Sequence, residues 1–325
     1  MELVCPAGTP AALRTAVEAG ADAVYVGFAD ETNARNFPGL NFSRDELAAS
    51  ISFAHEHGAK VLVAINSFAR AGRTELWRRA VDDAVERNAD AVIVADIAIA
   101  AYMAKQHKRA RLHLSVQASA SSPEAIDYYC RAFGVKRVVL PRVLTVPEIA
   151  ELNRQIDCET EVFVFGGLCV MAEGRCSLSS YITGKSPNMN GVCSPPSHVA
   201  YEDDGFEMVS KLAGYTINRF GEGETAGYPT LCKGRFRAGD EVGYVFEEPV
   251  SLNAAAMLPE LAAAGVTALK IEGRQRGRAY VRKVVQDFRR AVDALETNAP
   301  LPAQDLTGLT EGQSETAGAY RKVWR

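Results

Sequence analysis

Four cysteines, Cys169, Cys176, Cys193 and Cys232, fall within one stretch of the chain, spaced Cys169-x6-Cys176-x16-Cys193-x38-Cys232. Thiolates are soft ligands, and four of them suffice for zinc or for an iron–sulfur cluster. Zinc sites usually use close Cys-x2-4-Cys pairs, which this stretch lacks, and it also lacks the short ferredoxin run. Spacing alone leaves a metal site and four unrelated buried thiols both open. Local composition favours a shared site. Gly166 and Gly167 precede Cys169, Gly174 and Arg175 precede Cys176, Gly191 comes before Cys193, and Gly234 follows Cys232. Backbone of that kind approaches a bound group closely and can offer it N–H groups. The remaining cysteines differ. Cys5 lies on a strand-like run, Cys130 in a helical pattern and Cys158 just before a strand, where free cysteine behaves as a small buried hydrophobe.

The elements that would position the four thiols repeat along the chain. Helix-like stretches end at Gly or Asn and give way to short runs of Val, Ile and Leu. Eight such runs are predicted as strands: Leu3 to Cys5, Gly20 to Gly27, Gly58 to Ile65, Asn88 to Ala95, Leu112 to Val116, Gly134 to Leu140, Thr160 to Phe165 and Gly265 to Ile271. Continuous apolar runs suit parallel strands buried on both faces. Ser43 with Glu46 and Thr145 with Glu148 fit capping boxes, and Ser122 precedes Pro123 as a cap before an N1 proline. Leu76, Ala80, Val81, Ala84 and Val85 make one apolar helical stripe. Val281, Val284, Val285, Phe288, Val292 and Leu295 make another. The alternation predicts an α/β fold, a TIM-like (β/α)8 barrel, with a doubly wound open sheet as the alternative. The barrel would occupy residues 1–296. It would be interrupted after its seventh strand by a Gly-, Ser-, Pro- and Asn-rich insertion at 166–250, and followed by a tail at 297–325. The insertion holds all four named cysteines at the carboxyl end of the barrel, where such folds carry their chemistry.

Composition sets outer limits. The 325 residues are 47% hydrophobic and 23% charged, with net charge −4 and an isoelectric point near 5.8. That balance gives no general electrostatic reason to expect nucleic acid. No run approaches the roughly 18 apolar residues of a membrane span. The start, Met1 to Pro6, does not read as a signal peptide. A cytoplasmic protein with reduced or metal-bound cysteines is expected.

The segments from Phe165 to Cys176, Ser180-Tyr181, Asn190 to Pro195 and Gly227 to Gly234 resemble peptidase family U32. So do Met1 to Gly8, Thr32 to Phe37, Ser115 to Ala120, Val138 to Arg142, Lys270 to Gln275 and the tail Gly318 to Tyr320, so the likeness runs through nearly the whole chain. It is greatest to members of the family that serve oxygen-independent ubiquinone biosynthesis. The resemblance implies a [4Fe-4S] cluster on Cys169, Cys176, Cys193 and Cys232. It also implies a heterodimer with a paralogous UbiV-like cluster protein, and hydroxylation of the ring of a quinone precursor. Other relatives hydroxylate tRNA or rRNA bases, drawing oxygen from prephenate, so an RNA-base hydroxylase is the first alternative and a non-catalytic cluster scaffold for the partner is another. With four cysteine ligands every iron is capped, which favours electron transfer or a structural role for the cluster.

Peptidase chemistry finds little in the residues. There is no Gly-x-Ser-x-Gly elbow and no His-Glu-x-x-His motif, and His55-Glu56-His57 reads as a solvated helix end. Gly221 to Gly227 has the wrong spacing for a dinucleotide fingerprint and carries two acids, so it reads as a loop. Candidates for substrate contact are the residues at the predicted carboxyl ends of strands: Asn66, Asp96, Gln117, Arg142, Glu272 and Arg274. The competing role for each is capping a helix or pairing internally. Arg142 and Arg274 could clamp a dicarboxylate oxygen donor such as prephenate.

Overall fold

Eight short parallel strands close on themselves in a computed structural model that describes residues 1–190, 193–203 and 205–321. Gly191, Trp324 and Arg325 lie outside the described residues. The strands are β1 (Glu2–Pro6), β2 (Ala23–Gly27), β3 (Lys60–Ile65), β4 (Ala91–Val94), β5 (Leu112–Leu114), β6 (Arg137–Val139), β7 (Glu159–Gly167) and β8 (Ala268–Ile271). They pair in sequence order, and β8 hydrogen-bonds to both β1 and β7, which closes the barrel. The open-sheet alternative is thereby excluded. All eight expected apolar runs form these strands.

Helices lie between the strands and pack their apolar stripes on the outside of the barrel. They are α1 (Pro10–Glu18), α2 (Arg44–Glu56), α3 (Thr74–Glu86), α4 (Ile97–Gln106), α5 (Pro123–Phe133), α6 (Val146–Gln155), α7 (Leu258–Ala263) and α8 (Arg278–Glu296). Both expected capping boxes are complete, at Ser43 with Glu46 and at Thr145 with Glu148, and the Ser122 side chain caps α5. Val281, Val284, Val285, Phe288 and Val292 of α8 are buried, and in α3 Trp77 joins Ala80, Val81 and Ala84 in the core. No described helix is long and apolar enough to cross a membrane.

The barrel interior is not uniformly apolar. Small residues, Ala23, Ala64, Ala91 and Ala268, alternate with Val4, Tyr25, Leu62 and Ile93 on its lining. The room they leave holds charges. Lys270 pairs with Glu161 at 2.6 Å, Arg137 reaches Glu161 at 3.3 Å and Glu2 at 2.5 Å, and Glu161 has no exposed surface. Ions buried this way are tolerated only when mutually paired.

After β7 comes a segment that contains more order than its composition suggests. It forms a three-stranded antiparallel sheet of Val199–Asp203, Met208–Leu212 and Tyr215–Phe220, and a hairpin of Arg235–Ala238 with Glu241–Tyr244. These strands escape sequence reading because their exposed faces break the alternation of apolar and polar residues. Val199–Asp203, for example, is exposed along most of its length. Ser251–Asn253 then pairs antiparallel with the end of β7 and parallel with Glu315–Thr316, so the tail folds back onto the barrel. Tyr320 donates to the Phe163 carbonyl at 2.6 Å.

The insertion is pinned to the barrel mouth at Gly174. Its φ is +79°, and a Cβ there would collide with the carbonyl oxygen of Gln117. The Ser119 hydroxyl donates to the neighbouring Glu173 carbonyl. Gly58 has a similar φ of +75° but open space around a Cβ. Gly58→Ala should therefore cost about 1 kcal/mol, the left-handed backbone penalty alone. Gly174→Ala should cost about 2 kcal/mol more by the added collision. Denaturant unfolding of the two variants checks this, and equal losses would show that the loop yields freely.

Candidate functional site

A cavity of about 180 Å³ opens at the carboxyl end of the barrel. Tyr25, Asn66, Gln117, Phe163, Lys270, Glu272 and Arg274 line it, together with Arg35 from the loop after β2. Four of the residues expected from their places at strand ends, Asn66, Gln117, Glu272 and Arg274, are thus brought together. Asn66 is held in place, accepting from the Ala34 amide at 3.1 Å and donating to Ser115 Oγ at 3.4 Å. Gln117 is buried, and its Oε1 finds no partner among the described residues.

Two of the expected contacts have other occupations. Asp96 caps α4, accepting from the amides of Ala98 and Ile99, and it also takes the Ala69 amide. Arg142 is 4% exposed and outside the cavity lining. One arm of its guanidinium pairs with Glu173 and the other with Glu272, and its plane lies 3.5 Å from the Phe163 ring centroid. Both ends of the fork are spent within the protein, so Arg142 is not a free clamp for a dicarboxylate. The physical reason is tertiary: Glu173 arrives from the insertion, 31 residues downstream.

Arg274 differs. It donates to Asn33 Oδ1 at 3.0 Å, lies 5.4 Å from the Tyr25 ring centroid, and has no direct carboxylate partner among the described residues. Burial, reinforced by the neighbouring Arg35, lowers its pKa to about 10. The Lys270 ammonium sits 3.7 Å from the same ring centroid, and its pKa too is lowered, chiefly by burial and against the pull of Glu161. Burial opposes the charge of Glu272, but Arg142 and Arg35 outweigh it and hold that carboxyl below its ordinary value. Arg35 approaches Glu272 at 3.5 Å. The cavity therefore presents cations on several sides with one carboxylate to balance them. An anion of single-ring size suits such a space.

The four cysteines lie beside this cavity. Cys193 interacts electrostatically with Cys169, Cys176 and Cys232, and also with Arg35 and Glu272 of the cavity wall. None is in a disulfide. Burial pushes the Cys169 and Cys232 thiols up to about 12, and raises Cys193 as well. Opposing that push are Arg142 at Cys169, Arg35 at Cys193 and Lys233 at Cys232, and the Met171 amide donates to Cys169. Among the described residues no three potential ligands are gathered tightly enough for a single metal ion. Buried polar atoms without partners among the described residues include Arg142 Nε and Glu173 Oε2, on the ion pair beside Cys169, and Ser194 Oγ, next to Cys193. Cys5, by contrast, is fully buried on β1, and Cys130 and Cys158 pack against the core. His55 and His57 close α2, His55 pairing with Asp90 and His57 forming the cap.

Sequence reasoning did not single out Tyr25, Arg35, Asn33, Glu173, Lys233 or Lys270 as functional. All but Tyr25 lie within the motifs Thr32 to Phe37, Phe165 to Cys176, Gly227 to Gly234 and Lys270 to Gln275, and that was the available signal. Lys233 adjoins Cys232 and is 3% exposed, with its ammonium donating to the Val250 carbonyl at 3.0 Å and pairing with Glu311.

Comparisons with known proteins bear on this site. "tRNA hydroxylation protein P1" of Bacillus subtilis is 31% identical over 298 residues, which cover 90% of this chain and 63% of that protein. "tRNA hydroxylation protein P" of Escherichia coli is 31% identical, covering 99% of this chain and 74% of that one. "23S rRNA 5-hydroxycytidine C2501 synthase" of Escherichia coli is 29% identical over 96% of this chain but only 42% of its own length. The chain thus spans from under half to about three quarters of these relatives. The expected ubiquinone role draws no support from their names, which match the RNA alternative. The family model described as "Peptidase family U32" matches residues 8–316, and the chain belongs to that family.

Proposed function

We propose that the protein takes part in hydroxylating an aromatic ring without molecular oxygen, with a [4Fe-4S] cluster held by Cys169, Cys176, Cys193 and Cys232. The observation that carries this reading is the abutment of four partly buried thiols, of which Cys193 interacts with the other three, on a cation-rich cavity at the barrel mouth. The donor set is all thiolate, which suits iron–sulfur ligation. It is too loosely gathered for one zinc ion, and cations and an amide face its sulfurs. When bound, the cluster would supply one-electron chemistry or a structural centre. The chain's own residues do the rest. Arg274 and Lys270 hold an anionic oxygen donor, a dicarboxylate such as prephenate, over Tyr25. Gln117 and Asn66 offer polar contacts to the ring. Phe163 and Tyr25 keep water from it. No histidine lines the cavity among the described residues, which disfavours a Cys–His peptidase.

An RNA base is the substrate that the relatives' names support. A second reading, the ring of a ubiquinone precursor with a UbiV-like paralogue as partner, is favoured by the acidic charge balance of −4, which suits RNA poorly.

A deletion strain grown without oxygen separates the two. Loss of hydroxylated nucleosides from hydrolysed tRNA and rRNA with quinones intact is expected on the RNA reading. Loss of ubiquinone alone points to the second, and neither loss would sink both. Anaerobic purification should yield about four iron and four sulfide per chain, lost in Cys169→Ala or Cys232→Ala and retained in Cys5→Ala; zinc in place of iron would refute the cluster. Arg274→Lys should lower turnover about 10- to 100-fold with iron content unchanged, and wild-type turnover would remove Arg274 from the donor site.

A further inference from the structure

The stretch from Gly273 to Gln286 holds Arg274, Arg276, Arg278, Arg282 and Lys283 and no acid. In a chain of net charge −4 this run concentrates positive charge in one place, and the fold sets that place on the rim of the cavity. Arg276, in the link from β8 to α8, lines the cavity and is also exposed to solvent. Its guanidinium lies 5.4 Å from the ring centroid of Tyr280, another residue of the lining. Arg278 opens α8, and Arg282 follows one turn later, about 6 Å along the axis. Both are exposed. Lys283 is paired with Asp287, whereas Arg276, Arg278 and Arg282 have no carboxylate partner among the described residues. Glu31, Glu173 and Glu272, carboxylates of the same end of the barrel, are already paired with Arg73, Arg142 and Arg35.

Exposed guanidiniums without acids suit the phosphates of a nucleic-acid strand, which arginine grips through two N–H groups at once. The first turn of α8 carries neither an acid nor a side-chain cap, so its amides are open to the same anions. A second feature points to a ligand from inside the cavity. Gln117 is 4% exposed, and its Oε1 has no partner among the described residues. An N–H on the edge of a nucleobase supplies one. We propose that the backbone phosphates of an RNA strand dock on Arg276, Arg278 and Arg282, and that the target base turns into the cavity to meet Gln117.

This rests on the RNA reading above and supplies the basic surface that the overall charge balance withholds. Phosphate contacts fix the position of a strand and carry no sequence information. Selection therefore falls to the base in the cavity, while the rim holds the strand during the costly removal of that base from its stack. An anionic membrane would also be drawn to three arginines. Surface helices that hold a membrane pair their cations with exposed apolar anchors. Among the described residues, none of the exposed large apolar side chains lies between Gly273 and Gln286, so RNA is the better occupant.

The test uses the anaerobically purified full chain and total tRNA from the deletion strain, in filter binding over a range of salt. Arg276→Ala, Arg278→Ala and Arg282→Ala combined should weaken binding about 10- to 100-fold and reduce the slope of log affinity against log salt by about three. Iron content and melting temperature should stay as in the wild type. Lysine at the same three positions should recover most of the affinity, since a point charge still meets a phosphate. Arg282→Ala alone, on the exposed face of α8, should reduce the slope by about one, and it keeps the test open if the triple variant folds poorly. Lys105, Lys108 and Arg109, exposed at the end of α4 and the opposite end of the barrel, are the control. Their combined change to Ala should leave affinity unaltered. Wild-type binding by the α8 variants, or an equal loss in the control, overturns the docking site and leaves the RNA reading standing. A wild-type chain that ignores tRNA and sediments with phosphatidylglycerol vesicles overturns both.

Discussion

At the barrel mouth, one guanidinium joins three parts of the chain that are distant in sequence. Arg142 follows β6, Glu272 follows β8, and Glu173 lies in the insertion between Cys169 and Cys176. A buried ion pair adds little net stability, because desolvation offsets most of the Coulomb gain. Removing one member is another matter, since it strands a charge without water. Arg142 stacked on Phe163 therefore acts less as a source of stability than as a constraint on register. The cysteine-bearing loop has one position in which Glu173 is paired. Burial still pushes the Glu173 carboxyl above its ordinary value, so its charge depends on that contact. The location of the thiols relative to the cavity follows from it.

The same economy runs down the barrel axis. Alanines at positions 23, 64, 91 and 268 leave space that bulkier side chains fill in many barrels. Lys270, Glu161, Arg137 and Glu2 occupy it as a chain of pairs leading from the base toward the mouth. Its upper end is Lys270 beside Tyr25, with Arg274 also near the ring. A cationic cavity floor thus rests on a buried acid, Glu161, and so can hold charge without collapsing onto it. Arg274 has no such acid paired with it among the described residues, which leaves its charge for a ligand.

Much of this was legible before any fold was known. Apolar runs of parallel-strand type marked all eight barrel strands, because burial on both faces leaves a continuous signal. Capping residues marked helix starts, since the cap is a local contact. The insertion's five antiparallel strands went unread because their exposed faces carry no alternation. Strand-end position located Asn66, Gln117, Glu272 and Arg274 at the mouth, and it could not separate them from Asp96, whose carboxylate is taken by amides of its own helix. The three cysteines set aside as structural were not alike either. Cys5 is sealed in the core, whereas Cys130 and Cys158 are partly exposed at its rim.

The amino-acid sequence by itself determined the barrel, the place of the insertion after the seventh strand, and the four thiols as a possible soft-ligand set. These depend on local patterns of polarity, bend and ligand type. Only the tertiary structure decided which charged groups are free. Arg142 and Arg274 are equivalent in sequence, each just past a strand, and they differ because an acid from the insertion pairs with one of them and, among the described residues, none pairs with the other. A charge's availability depends on what the rest of the chain brings within a few ångströms of it.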